Sequence, residues 1–211
     1  MKIAMFGASG NIGNRILNEA LSRGYKVTAM LRPGVKIETG SPLVQAIEGN
    51  IFNPEDVARL VAGHDIVISA FGPDPGEPSR LAGATRSLIE GMKKTTVKRL
   101  IVVGGAGSLL VAPDVLLLDT PEFPSAWKPV ALAHKDALSI YLGEKELEWS
   151  YAHPAAFIEP GLRMGHYRLG GDRLFTDHKG ESRISMEDFA VALLDEAENH
   201  RHIRKRFSVA Y

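Results

Sequence analysis

The sequence predicts an α/β protein in which helices cover both faces of a doubly wound parallel sheet. Two observations support this fold class. Short apolar runs alternate with longer segments of helical periodicity up to residue 152, at spacings that suit right-handed crossovers between parallel strands. A glycine-rich turn at residues 7–13 joins the first apolar run to the first helical segment. With 211 residues, the chain is long enough for one such domain and short for two.

Apolar runs in the first half of the chain predict strands at residues 2–6, 25–31, 43–48, 65–71 and 97–103. The helices between them are predicted at residues 12–23, 54–63 and 77–94. Asn53 is a typical N-cap, Pro54 suits the first helical position, and acidic residues occupy the following turn. Gly24 and Gly63 end the first two helices.

The second half of the chain is less regular. Residues 104–124 form a long segment punctuated by glycine and proline, and such segments in compact domains are usually functional or mobile. Further elements are predicted as a helix over 129–147, a strand over 148–152, a helix from the capping box Ser185-Met-Glu-Asp188 to about Asn199, and a strand over 206–210. We therefore expect a single domain over residues 1–211. Its part from about residue 155 is a small C-terminal extension that completes the substrate side.

The turn Gly7-Ala-Ser-Gly-Asn-Ile-Gly13 has the position and spacing of a dinucleotide-binding turn. One glycine allows the tight turn, another lets the backbone approach a pyrophosphate, and a third lets helix and strand pack closely. The free N–H groups and positive end of the next helix attract phosphates. The alternative is an ordinary tight turn. The sequence thus predicts a Rossmann-type NAD(P)-binding domain, with cofactor contacts from Gly7, Ser9, Gly10, Asn11, Ile12 and Gly13.

The end of the second strand predicts which nucleotide is bound. In this fold an acidic residue there bonds the 2′-hydroxyl of NAD, whereas an arginine accommodates the 2′-phosphate of NADP. Arg32 occupies this place, and the first acidic residue after it is Glu38. The predicted cofactor is therefore NADP(H) in preference to NAD(H), the alternative being that Arg32 is a solvated loop residue. Further cofactor contacts are predicted after the third and fourth strands, at Asn50, Ile51, Phe71 and Gly72.

The composition argues against several classes of protein. The 25 Lys and Arg residues balance 25 Asp and Glu residues, so no net charge directs the chain to nucleic acid. No cysteine is present, and the scattered histidines show no metal-binding spacing. No apolar run reaches the roughly 18 residues that span a bilayer, and no secretory signal precedes the first strand. We expect a cytoplasmic protein with a small-molecule partner and no nucleic-acid, membrane or metal partner; a homodimer is left open.

Six segments together resemble the atypical short-chain dehydrogenase/reductases. They are residues 7–13, Leu31-Arg32-Pro33, Ser69-Ala-Phe-Gly72, Val102-Val-Gly-Gly-Ala-Gly-Ser108, Trp149-Ser-Tyr-Ala-His-Pro154 and residues 180–190. Within that group the chain is similar to the NmrA-like and flavin/biliverdin-reductase-B-like branch, which includes bacterial NAD(P)H-flavin reductases. The resemblance covers essentially the whole chain and implies a Rossmann-type fold with a nicotinamide cofactor. Because the branch contains both reductases and cofactor-binding regulators, it implies activity less directly.

One departure from the family pattern affects catalysis. Members with standard chemistry carry Tyr-x-x-x-Lys on the helix after the fifth strand, where the tyrosine protonates a carbonyl and the lysine holds the cofactor ribose. Here Lys135 fits the lysine position, but the tyrosine position is Ala131. Two histidines are further catalytic candidates: His134, beside Lys135, and His153, at the end of the sixth strand. Their structural alternatives are a partly exposed helix residue and a packed core residue.

Three functions fit these features. The leading hypothesis is NADPH-dependent reduction of a flavin, quinone or similar planar acceptor by direct hydride transfer, with the proton supplied by solvent. The alternative is a redox sensor of NmrA type that binds NADP(H) without turnover, which the missing tyrosine favours. An isomerase or epimerase is disfavoured because those enzymes generally need the tyrosine. Trp127, Phe123 and Phe157 are candidates for aromatic contacts with a planar acceptor, or for plain core packing.

Overall fold

The computed structural model describes residues 1–37, 40–74 and 76–211, so Glu38 lies outside the described residues. Its strands are β1 (Lys2–Phe6), β2 (Lys26–Leu31), β3 (Val44–Glu48), β4 (Ile66–Ser69), β5 (Arg99–Val103), β6 (Leu110–Ala112), β7 (Val115–Leu116), β8 (Glu148–His153), β9 (Phe157–Glu159), β10 (Arg168–Gly170), β11 (Arg183–Ser185) and β12 (Lys205–Ala210). Its α-helices are α1 (Asn11–Ser22), α2 (Pro54–Val61), α3 (Arg80–Lys93), α4 (Lys128–Gly143) and α5 (Met186–Asn199).

The central sheet is parallel except at one edge. Within the described part of the chain its strand order is β10-β12-β8-β5-β4-β1-β2-β3. All neighbouring pairs are parallel apart from β10 and β12, which are antiparallel. The order reverses at β1, because β2 and β3 lie on one side of it and β4 on the other. The predicted Rossmann-type doubly wound sheet is confirmed. In such sheets ligands bind at the carboxyl ends of the strands, beside the reversal.

Helices cover both faces of the sheet. On one face α1 packs against α5, and on the other α2, α3 and α4 pack in succession. Along β1, Ile3 and Met5 belong to the core on the first face, whereas Ala4 and Phe6 belong to the core on the second. Because successive side chains of a strand point to opposite faces, a strand buried on both sides is apolar throughout. This explains the uninterrupted apolar runs in the sequence.

Two helices have an end that differs from the prediction by three residues or more. α3 begins at Arg80 rather than at residue 77, and α4 ends at Gly143 rather than at residue 147. After α4, Glu144 takes an extended conformation. Its carboxylate accepts hydrogen bonds from the N–H groups of Glu146 at 2.6 Å and Leu147 at 3.2 Å. The Glu144 side chain thus satisfies backbone donors in a turn, where local periodicity predicted further helix.

The irregular segments contain short strands that the sequence did not predict. β6 and β7 form a small antiparallel hairpin inside the long segment 104–124. β9 and β11 pair in parallel, and α5 follows β11 directly. Ser185 is the N-cap of α5 as predicted, and its hydroxyl accepts a hydrogen bond from the Asp188 N–H at 3.0 Å. The reciprocal bond of a capping box is replaced, because the Ser185 N–H donates to the Tyr211 hydroxyl. These strands are two or three residues long, too short to produce a clear alternation in the sequence.

A buried ion pair lies near the amino ends of β5 and β8. The glycine turn lies on the other side of the sheet, where the carboxyl ends of the parallel strands meet. The Arg99 guanidinium contacts the Glu196 carboxylate at 2.6 Å, and the two side chains are 5% and 3% exposed. Ser150 and His202 donate further hydrogen bonds to this carboxylate, at 3.0 and 2.7 Å. Burial by itself would raise the pKa of Glu196, but the hydrogen bonds, chiefly those from His202, lower it to about 2.

Candidate functional site

The glycine turn connects β1 to α1, and two of its glycines are required by backbone packing. Gly7 has a φ of +78°, and a Cβ on it would lie 2.5 Å from the backbone of Ala70. A Cβ on Gly13 would lie 1.9 Å from the carbonyl oxygen of Gly7. A Cβ on Gly10 would meet only that oxygen, at 3.4 Å. The fold therefore requires glycine at positions 7 and 13, whereas the backbone beside Gly10 is left open.

The N-terminus of α1 is suited to bind an anion. Its N-cap is Gly10, so no side chain caps the helix, and its first turn contains no acidic residue. The hydrogen bonds of the helix begin at Asn14, whose N–H donates to the carbonyl of the N-cap residue Gly10 at 2.8 Å. The amides of residues 11–13 precede it, in the turn where backbone N–H groups have no acceptor within the helix. Free amides and the positive helix end together attract phosphate groups.

A cleft of about 270 Å³ lies at the carboxyl ends of β1, β2, β3 and β4. Predicted cofactor residues that line it are Gly7, Ser9, Gly10, Arg32, Ile51, Phe71 and Gly72. Lining residues that the sequence analysis missed are Phe6, Met30, Leu31, Gly49, Ala70 and Asp74. Each of these lies within two residues of a predicted position. They could have been predicted by including every residue near the carboxyl end of each predicted strand. The structure thus brings the ends of four strands and one exposed arginine around a single cleft.

Five predicted cofactor residues lie outside this cleft lining, and one of them is Lys135 on α4. The side-chain oxygen of Asn50 accepts a hydrogen bond from the N–H of Phe52 at 3.0 Å, which folds the side chain back on its own turn. Asn11 is exposed at the start of α1, and Gly13 is buried. Ile12 lines a second cavity instead.

We call this second cavity the acceptor pocket; it has a volume of about 500 Å³ and mostly apolar walls. It lies at the carboxyl ends of β5 and β8, which continue the sheet edge beyond β4. Its lining consists of Ile12, residues 104–107, Leu117, Thr120, Glu122, Phe123, Pro124, Trp127, Val130, Ala131, His134 and residues 154–158. Trp127 and Phe157 are 51% and 48% exposed, so two large aromatic side chains are accessible at the pocket.

The start of α4 supplies the wall where the family carries its catalytic pair. Ala131 is buried and lines the acceptor pocket. It packs closely on Gly107, because a Cβ added to Gly107 would lie 2.7 Å from the Cβ of Ala131. The hydroxyl of Tyr151 donates to the carbonyl of His134 at 3.0 Å, and the Tyr151 side chain is fully buried. Lys135 is partly exposed, and among the described residues it belongs to neither cavity lining.

His134 is a half-buried residue of the acceptor pocket. Its Nδ1 lies 3.4 Å from the hydroxyl of Tyr151, and its ring lies beside Gly105. Burial lowers the pKa of His134 to about 4, because the imidazolium form loses its hydration. The ring is therefore neutral at pH 7, where it carries no proton that it can readily donate to an acceptor.

His153 is completely buried at the end of β8. Its Nδ1 donates to the carbonyl of Gly105 at 2.8 Å, and its ring centroid lies 5.1 Å from that of Tyr151. Its Nε2 has no hydrogen-bond partner among the described residues. Burial lowers the pKa of His153 to about 4. The side chain lies outside the pocket lining and contacts it through the backbone of Gly105.

These features define a dinucleotide-binding α/β protein, since the glycine turn, the free helix N-terminus and the cleft lie together at the sheet reversal. A family model described as NAD(P)H-binding matches residues 7–197, and the chain belongs to this family. The predicted resemblance to atypical short-chain dehydrogenase/reductases is confirmed, and the family is one of NAD(P)H-binding oxidoreductases.

Relatives match the chain over its full length. The uncharacterized protein YwnB of Bacillus subtilis (strain 168) is 41% identical over 212 residues, which cover 99% of this chain and 98% of that protein. A Bacteroides thetaiotaomicron structure, provisionally described as an epimerase, is 40% identical with a TM-score of 0.92 and covers 100% of this chain and 96% of its own. The structure of SP1627 from Streptococcus pneumoniae TIGR4, provisionally described as an NADH-flavin reductase, is 36% identical with a TM-score of 0.88, covering 100% and 99%.

In residues 1–37, 40–74 and 76–211, no helix combines the length and apolar character needed to cross a membrane. The same residues contain no group of three or more His, Cys, Asp or Glu side chains that could hold a metal ion.

Proposed function

We propose that the protein is an NADPH-dependent reductase that transfers a hydride directly to a planar acceptor such as a flavin or a quinone. The observation that supports this most strongly is the acceptor pocket beside the cleft. The cleft is built from the ends of β1 to β4, and the pocket from the ends of β5 and β8 along the same edge. Rossmann-type folds bind dinucleotides along this edge, so the two cavities are suited to the two halves of the cofactor and to its reaction partner.

The residues present fit a dinucleotide. The open backbone at Gly10 and the free amides of residues 11–13 would hold the pyrophosphate, and Arg32 the 2′-phosphate. When bound, NADPH supplies the hydride. The apolar walls at residues 104–107 and 154–158 would pack against the acceptor ring. Because Ala131 and a neutral His134 provide no acid, the proton comes from solvent, which flavins and quinones tolerate since their reduced forms are stable as anions.

Arg32→Ala should weaken NADPH binding by roughly 1–3 kcal/mol, the range for a charge-assisted hydrogen bond, and leave NADH binding nearly unchanged. The physical reason is that the exposed guanidinium at the end of β2 can pair with a phosphate that NADH lacks. Dissociation constants for both cofactors would be measured by fluorescence titration. Arg86→Ala, an exposed arginine on α3 outside the cleft lining, is the matched control. Equal losses for the two cofactors, or tighter NADH binding by the parent, would contradict the NADPH preference.

The rate of acceptor reduction should show no histidine titration between about pH 5.5 and 8. Burial lowers the pKa of His134 to about 4, so the ring stays neutral throughout this range. His134→Ala should slow turnover less than about tenfold, below the usual worth of a general acid. The measurement is kcat against pH for both proteins with a quinone acceptor. A loss of a hundredfold or more, or a step near pH 6.5 that the variant removes, would show that His134 is the proton donor.

The redox sensor is the second candidate function, and a pocket with Ala131 in place of a tyrosine acid favours it. A panel of flavins, quinones and aldehydes, followed by the oxidation of NADPH and of NADH, separates the two. Reduction of planar acceptors with feeble reduction of aldehydes supports the reductase. Tight NADPH binding without turnover supports the sensor. An epimerase, the provisional description of the Bacteroides relative, would return the hydride to its substrate and consume no NADPH.

A further inference from the structure

We infer that the acceptor pocket selects planar acceptors that carry no phosphate or carboxylate group, so that riboflavin or an uncharged quinone is accepted and FMN is rejected. This inference rests on the proposed reductase function and specifies its substrate class. Its basis is a separation of charge between the two neighbouring cavities.

The cleft is built for anions and the acceptor pocket is not. The cleft combines the free N-terminus of α1 and the exposed Arg32 with one carboxylate, that of Asp74. In contrast, the described residues that line the acceptor pocket include no lysine and no arginine, and Glu122 is their one acidic or basic side chain apart from His134. Burial lowers the pKa of His134 to about 4, so this ring adds no positive charge at neutral pH.

One cation beside the pocket wall, Arg183, is already paired with carboxylates. The Arg183 guanidinium lies over the ring of Phe157, 5.2 Å from its centroid, and Phe157 lines the pocket. Arg183 also forms ion pairs with Glu181 at 2.8 Å and Glu159 at 3.2 Å. Two carboxylates thus face one guanidinium at this side of the pocket, and Glu122 adds another negative charge to the lining.

This arrangement penalises an anionic acceptor. A phosphate that entered the pocket would lose hydration without gaining a counter-ion, and it would be repelled by Glu122. An uncharged ring system has no such cost and can pack against the accessible aromatic side chains of Trp127 and Phe157. The same walls thus favour the planar part of an acceptor and disfavour a charged tail.

Riboflavin and FMN provide the test, because they share the isoalloxazine ring and differ by the 5′-phosphate. Dissociation constants would be measured by equilibrium dialysis with saturating NADP⁺, and kcat/KM with NADPH, at low and high salt. At low salt riboflavin should be preferred over FMN by at least about tenfold in both quantities, and the preference should shrink with salt as the charges are screened. Equal use of the two flavins, or a preference for FMN, would overturn the inference.

Variants at Glu122 identify the charge responsible. Glu122→Gln should reduce the preference for riboflavin, and Glu122→Lys should remove or reverse it. Glu90→Lys makes the same change of charge on an exposed residue of α3, outside the pocket lining, and should leave the preference unchanged. If Glu90→Lys shifts the preference as much as Glu122→Lys, the global charge and not the pocket is responsible, and the inference fails.

The binding measurement separates this inference from the proposed function. If no acceptor is reduced, the reductase proposal fails, but the dialysis constants for riboflavin and FMN still decide whether the pocket rejects the phosphate. If both flavins are reduced equally well, the reductase proposal stands and the selectivity is wrong.

Discussion

Gly13→Val should abolish measurable NADPH binding. A Cβ on Gly13 would lie 1.9 Å from the carbonyl oxygen of Gly7. This oxygen belongs to the backbone, so no side-chain movement can relieve the contact. The variant must therefore displace either the turn after β1 or the first turn of α1, which are the two elements that would hold the pyrophosphate. We expect a loss of at least about a hundredfold in affinity, equivalent to ~2.7 kcal/mol. Fluorescence titration with NADPH measures it.

Two glycine controls show whether the loss is local. A cooperative thermal transition of Gly13→Val, even at a lower Tm, would establish that the variant folds. Gly10→Ala should fold like the parent, because its Cβ would meet only the Gly7 carbonyl oxygen, at 3.4 Å. It should nevertheless weaken NADPH binding if the pyrophosphate approaches that backbone. Gly143→Ala, whose Cβ would meet nothing within 4 Å, should change neither property. Parental affinity in Gly13→Val would show that the turn is not the phosphate site.

Glu196→Ala should destabilise the fold by about 3–5 kcal/mol, the cost of removing one partner of a buried ion pair. The variant leaves the Arg99 guanidinium in a site where that side chain is 5% exposed, without its carboxylate. Hydrogen bonds from Ser150 and His202 to the same carboxylate are lost as well. Chemical unfolding measures the change. NADPH binding, measured well below the transition, should be retained because the ion pair lies at the opposite edge of the sheet from the cleft.

The same carboxylate predicts a pH dependence of stability. The pKa of Glu196 is lowered from 4.5 to about 2 in the folded protein. Its stabilising effect is therefore complete above the unfolded value of 4.5 and is lost as the pH falls from 4.5 toward 2. Between pH 5 and pH 3 the parent should lose stability more steeply than Glu196→Gln, which has no carboxylate to protonate. Parallel pH profiles for the two proteins would contradict this role for Glu196.

Glu198→Ala is the matched control on the same helix. Glu198 pairs with Arg23 at 2.7 Å, but its side chain is 39% exposed, and exposed pairs contribute about 0–1 kcal/mol. A loss as large as that of Glu196→Ala would indicate that both variants disturb α5 itself and not the buried ion pair.

The sequence by itself determined the sheet and the cofactor edge. Strands buried on both faces must be apolar along their whole length, so β1, β4 and β5 appear in the sequence as continuous runs. The turn at residues 7–13 requires glycine for local reasons, the φ of Gly7 and the contact of Gly13, and local requirements are visible in a local motif. Arg32 and Ile51 follow directly from their positions after strands, and both line the cleft.

Only the tertiary structure decided the composition of the acceptor pocket. Its walls come from α1, from residues 104–107, from the segment before α4 and from residues 154–158, and no sequence pattern brings these together. The two candidate histidines show the difference. Both were predicted as catalytic candidates from their positions in the sequence. In the structure His134 lines the pocket, whereas His153 is buried and its Nδ1 donates a hydrogen bond to the Gly105 carbonyl. Periodicity reports the environment of a backbone segment, whereas the charge and access of a pocket depend on side chains that are distant in sequence and meet only after folding.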